Sequence, residues 1–329
     1  MKIAMLINQD NFKQYSRWDN ADWQLMHMGN KPPVAAEVIA TGADVLVVDA
    51  VMAIGRDIID NMPSLKMVHS QGVAYNGIEL EASREKGIYV CNNAGVNARA
   101  VAEQAILLML AVLKKLRYNE DMVYDGKQIE AKQACFANGL PELGDCRVGL
   151  VGYGAIGRAL AERLKAFGCK LCYYTRSGEK TGADFDADIE YMPLDELYSS
   201  CDIISLHTPV TPETTDMINA EALKSFKRGA ILINTARGEL MDHTAVANAL
   251  ISGQLGGLGC DTLSPEPVLL DNPFLQLLTE EAKQRVALSP HIAGITAGSF
   301  IRTYERIFAN ISAIERGERP NCVVNGVVN

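Results

Sequence analysis

The chain has 329 residues, a formal net charge of −9, 48% apolar and 22% charged residues. That length suggests two domains at about 150 residues each, and the balance excludes a disordered chain, which needs low hydrophobicity and high net charge. The acidic surplus excludes nucleic acid as the main partner, because phosphate binding needs a basic patch; a site for a small anion must carry its own positive charge.

Apolar runs at 2–8, 44–49, 65–70 and 88–92 predict short strands, and the stretches near 33–41, 55–61 and 78–86 predict helices between them. This alternation implies a parallel, doubly wound sheet. Next, Val101-Ala102-Glu103-Gln104 leads into 105–116, a helix apolar on nearly every face and so expected to be buried. It suits a connection between two domains. Residues 118–143 are more polar and read as irregular. A second α/β series begins at Cys146, with strands predicted at 148–151, 170–174, 203–207, 230–234, 257–260 and 286–289. That is the strand count of a complete dinucleotide-binding domain. A last helix is expected from about 297 to 316, and no solenoid repeat or low-complexity tract interrupts the chain.

The longest fully apolar run, 105–113, falls far short of the roughly 20 residues a membrane span needs. Residues 1–7 are too short for a signal-peptide core, so the expected compartment is the cytoplasm. The eight cysteines are scattered, which reads as reduced thiols in that setting. Cys169 and Cys172 form a C-x-x-C, but on a predicted strand residues i and i+3 face opposite ways. No Cys, His or acid cluster has metal-ligand spacing, so no metal is expected.

Gly152-Tyr153-Gly154-Ala155-Ile156-Gly157 is a G-x-G-x-x-G between a predicted strand and a predicted helix, the context in which it binds a dinucleotide. Gly152 permits the tight turn, Gly154 lets backbone approach a pyrophosphate, and Gly157 allows helix and strand to pack closely. The N–H groups at the helix start face the phosphates. An NAD site usually ends the next strand with an acid that holds the ribose 2′-hydroxyl. Here that end reads Tyr174-Thr175-Arg176-Ser177, with no acid until Glu179. Arg176 suits a 2′-phosphate bidentately, and Thr175 and Ser177 add hydroxyl donors. The reading is NADP(H) over NAD(H).

Arg237, Asp261 with Glu266, and His291 each follow a predicted strand of the second series, where open α/β sheets bind ligands. Alone, Arg237 reads equally as a surface ion pair, His291 as a core histidine and Glu266 as a loop acid. Together they match the needs of keto-acid reduction: a cation for the carboxylate and carbonyl, a proton donor titrating near neutrality, and an acid to orient and charge that donor.

With these residues in these frames the chain resembles the D-isomer-specific 2-hydroxyacid dehydrogenases over nearly its whole length. The resemblance also rests on Asn92-Asn93-Ala94-Gly95-Val96-Asn97-Ala98-Arg99-Ala100-Val101-Ala102-Glu103 and on Leu206-His207-Thr208-Pro209-Val210-Thr211-Pro212-Glu213-Thr214. It implies two doubly wound domains. Residues 1–99 and 296–329 would form a discontinuous, flavodoxin-like substrate domain, and 100–295 a Rossmann dinucleotide-binding domain. The reaction would lie in the cleft between them, with closure excluding water.

The resemblance implies Arg237, Glu266 and His291 as the catalytic set. Val73 and Ala74, in Gln71-Gly72-Val73-Ala74-Tyr75-Asn76-Gly77, would hold the substrate carboxylate through backbone N–H groups, with Asn97, Arg237 and His291 also at the substrate. The family often has glycine where Ala74 stands and Asp-Asn where Asn76-Gly77 stand. Gly152, Gly154, Ala155, Ile156, Gly157, Val101, His207, Thr208, Pro209, Thr214, Thr235, Ala236, Asp261 and Gly294 would line the cofactor site, with Thr175, Arg176 and Ser177 at its ribose end. The helix after Val101 would form a homodimer. The implied activity is hydride transfer between NADP(H) and a small 2-keto or 2-hydroxy acid, of the glyoxylate or hydroxypyruvate reductase type. A D-3-phosphoglycerate dehydrogenase-like enzyme and a cofactor-sensing corepressor-like protein are the alternatives. Formate dehydrogenases carry glutamine beside the histidine, and L-type lactate dehydrogenases place the glycine loop near the N-terminus; both patterns differ from this one.

Overall fold

A computed structural model describes residues 1–17, 22–50, 52–179, 188–276 and 278–328. The chain divides into two compact units, one made of Met1–Asn97 and Ile295–Asn329, the other of Ala98–Gly294. Each is an α/β unit around its own parallel sheet.

The first unit holds β1 (Lys2–Leu6), β2 (Gln24–His27), β3 (Val45–Val48), β4 (Met67–Ser70) and β5 (Tyr89–Cys91) in the order β2-β1-β3-β4-β5, all parallel. This is the flavodoxin-like order. β3 and β4 are buried on both faces, as continuous apolar runs require in a sheet covered by helices. One face packs on helices that include Ala35–Ala40 and Arg56–Asp60. The other packs on Phe12 and Trp23 and on Tyr304, Ile307 and Ile311 of the helix Ala297–Glu315. The returning C-terminal helix thus completes the first unit's core.

The second unit holds β6 (Arg147–Val151), β7 (Lys170–Tyr174), β8 (Glu190–Tyr191), β9 (Ile203–Leu206), β10 (Ala230–Asn234), β11 (Leu255–Cys260) and β12 (Val286–Leu288). Their order is β12-β11-β10-β9-β6-β7-β8, again all parallel. Counted within the unit this is the Rossmann order 3-2-1-4-5-6 with one strand added at the end. The order reverses between β6 and β9, the crevice where such sheets bind ligands. Because every strand is parallel, the segments that follow β6, β7, β9, β10, β11 and β12 all emerge on one edge.

Four details depart from expectation. Residues 118–143 are largely helical, as Leu116–Tyr124 and Gln128–Asn138. Their apolar side chains Val123, Tyr124, Ile129 and Phe136 are exposed, so no buried stripe marks them in the sequence. The helix expected to be buried all round, Ala98–Leu113, buries Ala102, Ala105, Leu108, Met109 and Val112 but exposes Leu107 and Glu103. The helix Gln9–Tyr15 and edge strand β2 were unmarked, since β2 is half-exposed throughout. Finally, the second sheet gains β8, two residues long.

The eight cysteines are free thiols. Cys169, just before β7, and Cys172, within it, diverge: Cys169 Sγ donates to Leu143 O at 3.2 Å, while Cys172 Sγ lies 3.3 Å from Cys201 Sγ in the core.

Candidate active site

The loop after β6 carries the G-x-G-x-x-G glycines. Gly152 adopts φ +104°, and a Cβ there would lie 2.5 Å from His207 O. A Cβ on Gly157 would lie 2.4 Å from Gly152 O, so this glycine lets the helix Ala155–Phe167 start against the turn. Gly154 differs: a Cβ would meet nothing within 4 Å. It caps the helix without a side-chain hydrogen bond, leaving the first N–H groups, at Ala155 and Ile156, to an outside acceptor. An open cradle over an uncapped helix start fits a pyrophosphate.

After β7, Thr175 Oγ1 donates to Gly178 O at 2.6 Å, so its proton serves the turn. Arg176 extends outward, with Nη1 3.9 Å from Glu213 Oε2. After β9, His207 Nε2 lies 2.9 Å from Ser205 Oγ, and burial pushes the imidazole down to about 4. Thr208 and Pro209 open the next loop, where Thr214 Oγ1 donates to Pro209 O at 2.7 Å. Three buried polar atoms on this edge, His207 Nδ1, Thr235 Oγ1 and Thr262 Oγ1, pair with no described residue.

After β10, Asn234 ties the turn to itself: its Oδ1 accepts from Ala236 N at 3.0 Å and its Nδ2 donates to Arg237 O at 2.8 Å. That turn presents Arg237 outward, with Nη1 on Ala236 O at 2.7 Å. A Cβ on Gly238 would lie 2.4 Å from Ser264 N, so the loops after β10 and β11 touch. Glu266 sits on the second of them, and its Oε2 lies 2.7 Å from His291 Nδ1. With Nδ1 facing a carboxylate, Nδ1 carries a proton and Nε2 faces away from the pair. His291 holds φ +57°, rare for a residue with a side chain.

Asp261, fully buried, holds the His291 loop. Its carboxylate accepts from Ile292 N at 3.0 Å, from Ala293 N at 2.8 Å and from the Ser289 hydroxyl, and its own O accepts from His291 N at 2.7 Å. Ser289 Oγ in turn accepts from Gln104 Nε2 at 2.9 Å. Gly294 closes this loop, and Val101 lies buried in the helix Ala98–Leu113.

In the first unit, the loop after β4 turns its carbonyls inward. Gln71 O and Gly72 O accept from Asn93, Val73 O from Asn92 Nδ2 at 2.8 Å, and Ala74 O from Ser70 Oγ at 2.6 Å. The N–H groups of Val73 and Ala74 pair with no described residue and are left to an outside acceptor. A Cβ on Gly77 would lie 2.3 Å from Met52 O, which accounts for glycine at this departure from the family pattern. Asn97 is half-buried, and the segment before it is held by Arg302 Nε on Val96 O at 2.8 Å and by Arg306 on Ala94 O.

Sequence reasoning missed Glu213 beside Arg176 and the buried His69–Asn310 pair, at 3.0 Å. Neither carries a local signal, because each depends on sheet order or on the returning C-terminal helix.

The D-isomer specific 2-hydroxyacid dehydrogenase, NAD binding domain, matches residues 106–293. The glyoxylate reductase of Korarchaeum cryptofilum is 35% identical over 83% of this chain and 80% of its own length. That of Thermococcus litoralis is 35% identical over 86% of this chain and 83% of its own. The structure of a D-2-hydroxyisocaproate dehydrogenase superimposes with a TM-score of 0.83 at 26% identity, covering 99% of this chain and all of that one.

Proposed function

The chain belongs to the D-isomer specific 2-hydroxyacid dehydrogenases, and from that premise we propose that it reduces a small 2-keto acid, glyoxylate or hydroxypyruvate, with NADPH preferred to NADH. The observation that carries the reading is the His291 Nδ1–Glu266 Oε2 contact of 2.7 Å on the edge that also presents Arg237. Similarity to glyoxylate reductases over most of both chains supports the substrate class. Arg176 at the end of β7 supports the NADPH preference.

A dinucleotide held by the Gly152–Gly157 loop would supply the hydride for C2 of the keto acid. Arg237 binds the carboxylate through its planar fork and polarises the carbonyl. As charge develops on the carbonyl oxygen, His291 gives it the Nε2 proton, completing the hydroxyl. Glu266 keeps the imidazole in place through Nδ1 and balances its charge. The Val73 and Ala74 amides, with Asn97, are the first unit's contacts to the substrate. The Gly152–Gly157 loop and the start of its helix take the pyrophosphate. Met1–Asn97 with Ile295–Asn329 is on this reading the substrate domain, and Ala98–Gly294 the dinucleotide domain.

The exposed apolar side chains Leu107, Leu116, Val123, Tyr124, Ile129 and Phe136 support a homodimer formed on these helices. No helix among the described residues is long and apolar enough to cross a membrane; free thiols throughout support a cytoplasmic setting.

The test is NADPH and NADH oxidation in parallel over glyoxylate, hydroxypyruvate, pyruvate, phenylpyruvate and 3-phosphohydroxypyruvate. Turnover of glyoxylate or hydroxypyruvate, faster with NADPH, is expected. Preference for the phosphorylated acid would replace the substrate assignment. Tight dinucleotide binding with no turnover of any acid would point to a sensor.

A further inference from the structure

The end of β7 lacks the acid that an NAD site usually places there, but the sheet order brings one from elsewhere. β6 lies between β7 and β9, so the segments after β7 and β9 flank the glycine loop that follows β6. Arg176 stands on one flank and Glu213 on the other, with Nη1 and Oε2 3.9 Å apart. Both side chains are mostly exposed, at 79% and 69%, so their pairing contributes little to stability.

The loop carrying Glu213 is tightly tied. Thr211 N donates to Thr214 Oγ1 at 2.7 Å, Thr214 Oγ1 to Pro209 O at 2.7 Å, and Thr215 Oγ1 to Thr211 O at 2.9 Å. The backbone that carries Glu213 is therefore fixed by its own loop, independently of the arginine. Hydrogen bonds from Thr211 and from its own backbone N–H, with the Arg176 charge added, keep its carboxyl below the usual range and so ionised at neutral pH.

Two anions then contend for one guanidinium. A ribose 2′-phosphate must draw Arg176 from Glu213 and meet a like charge nearby. A free 2′-hydroxyl, by contrast, can donate to that carboxylate, as it does to the usual acid. Building on the reading of Arg176 as the phosphate contact, we infer that Glu213 is a second determinant of dinucleotide choice, opposing Arg176 and replacing the acid missing from the end of β7. The preference for NADPH is then the difference between two opposed residues, and NADH remains usable.

The test measures equilibrium binding of adenosine 2′,5′-bisphosphate and of 5′-AMP by calorimetry, in the full-length protein and in Glu213→Gln and Arg176→Ala. Glu213→Gln keeps the side-chain size and removes the charge. It should raise the bisphosphate-to-AMP affinity ratio about two- to fivefold, as expected for an exposed charge pair, with the gain shrinking in high salt. The NADPH-to-NADH ratio of kcat/KM should move the same way. An unchanged ratio in Glu213→Gln, or equal shifts for both probes, overturns the inference. Arg176→Ala separates the two claims. If it lowers the ratio while Glu213→Gln leaves it unmoved, only the role of Glu213 falls. If Arg176→Ala leaves the ratio unmoved, the NADPH reading itself falls.

Discussion

Asp261 and His291 are joined through backbone: His291 N donates to Asp261 O at 2.7 Å while the Asp261 carboxylate accepts the next two amides, Ile292 and Ala293. These bonds hold His291 at φ +57°, the conformation that presents its ring to Glu266. A residue with a Cβ leaves such a conformation readily unless its neighbours impose it. Asp261→Asn sets its N–H₂ against one of the two N–H donors, which bond to different carboxylate oxygens, and forfeits at least that bond. We expect kcat to fall by about ten- to a hundredfold, the range for misplacing a catalytic group, with dinucleotide affinity falling much less. Equal losses in kcat and in affinity would instead make Asp261 mainly a ligand contact.

The roles proposed for His291 and Arg237 separate kinetically. His291→Asn removes the proton donor and should lower kcat by about 10²–10⁴-fold, as loss of general acid catalysis does, while dinucleotide binding stays close to that of the parent. Arg237→Ala should raise the keto-acid KM and lower kcat together. Arg237→Lys should rescue little, because a point charge does not replace the fork. An active His291→Asn enzyme would end the acid–base assignment.

Some of this was legible in the sequence, and the limits are physical. Arg237 and His291 stand out because each is polar shortly after an apolar strand, and Glu266 lies on the loop that Asp261 opens after β11; parallel strands send such loops to one edge. The glycine loop was legible because its glycines recur at fixed spacing within one strand–turn–helix unit, although the close contact at Gly152 is to His207 O beyond β9. Glu213 was not, since only the order β7-β6-β9 brings it to Arg176. The bonds from Asp261 were hidden because its partners are backbone amides, which every residue carries. The helices Leu116–Tyr124 and Gln128–Asn138 escaped because their apolar residues are exposed, so the periodic buried face that reveals a helix is missing.

The glycines of the phosphate loop offer a second test, because they serve different ends. Gly152→Ala forces a Cβ into φ +104° and onto His207 O, and should destabilise the protein by about 2 kcal/mol or more. Gly154→Ala places its Cβ in open space at an ordinary φ, so Tm should hold within a degree or two of the parent. The same methyl stands where a pyrophosphate must approach backbone, so dinucleotide affinity should fall by about tenfold or more. A Gly154→Ala protein that binds NADPH normally would refute the cradle.

His69 gives the protein an acid limit. It is fully buried on β4, with Nδ1 2.8 Å from Ser70 O and Nε2 3.0 Å from Asn310 Nδ2. That arrangement suits a neutral ring with its proton on Nδ1 and Asn310 donating to Nε2. Burial, more than the nearby Arg306 charge, pushes the group down to about 4 from 6.5. The unfolded chain therefore takes up this proton first as pH falls. Stability from the neutral ring is complete above pH 6.5 and is lost progressively towards pH 4, on the order of 2 kcal/mol by pH 5. His207, also pushed down to about 4, acts in the same direction. His69→Gln should be less stable than the parent at pH 7.5 yet lose less on acidification, so urea midpoints measured at pH 7.5, 6 and 5 should converge. Parallel lines would show that His69 does not set the acid limit.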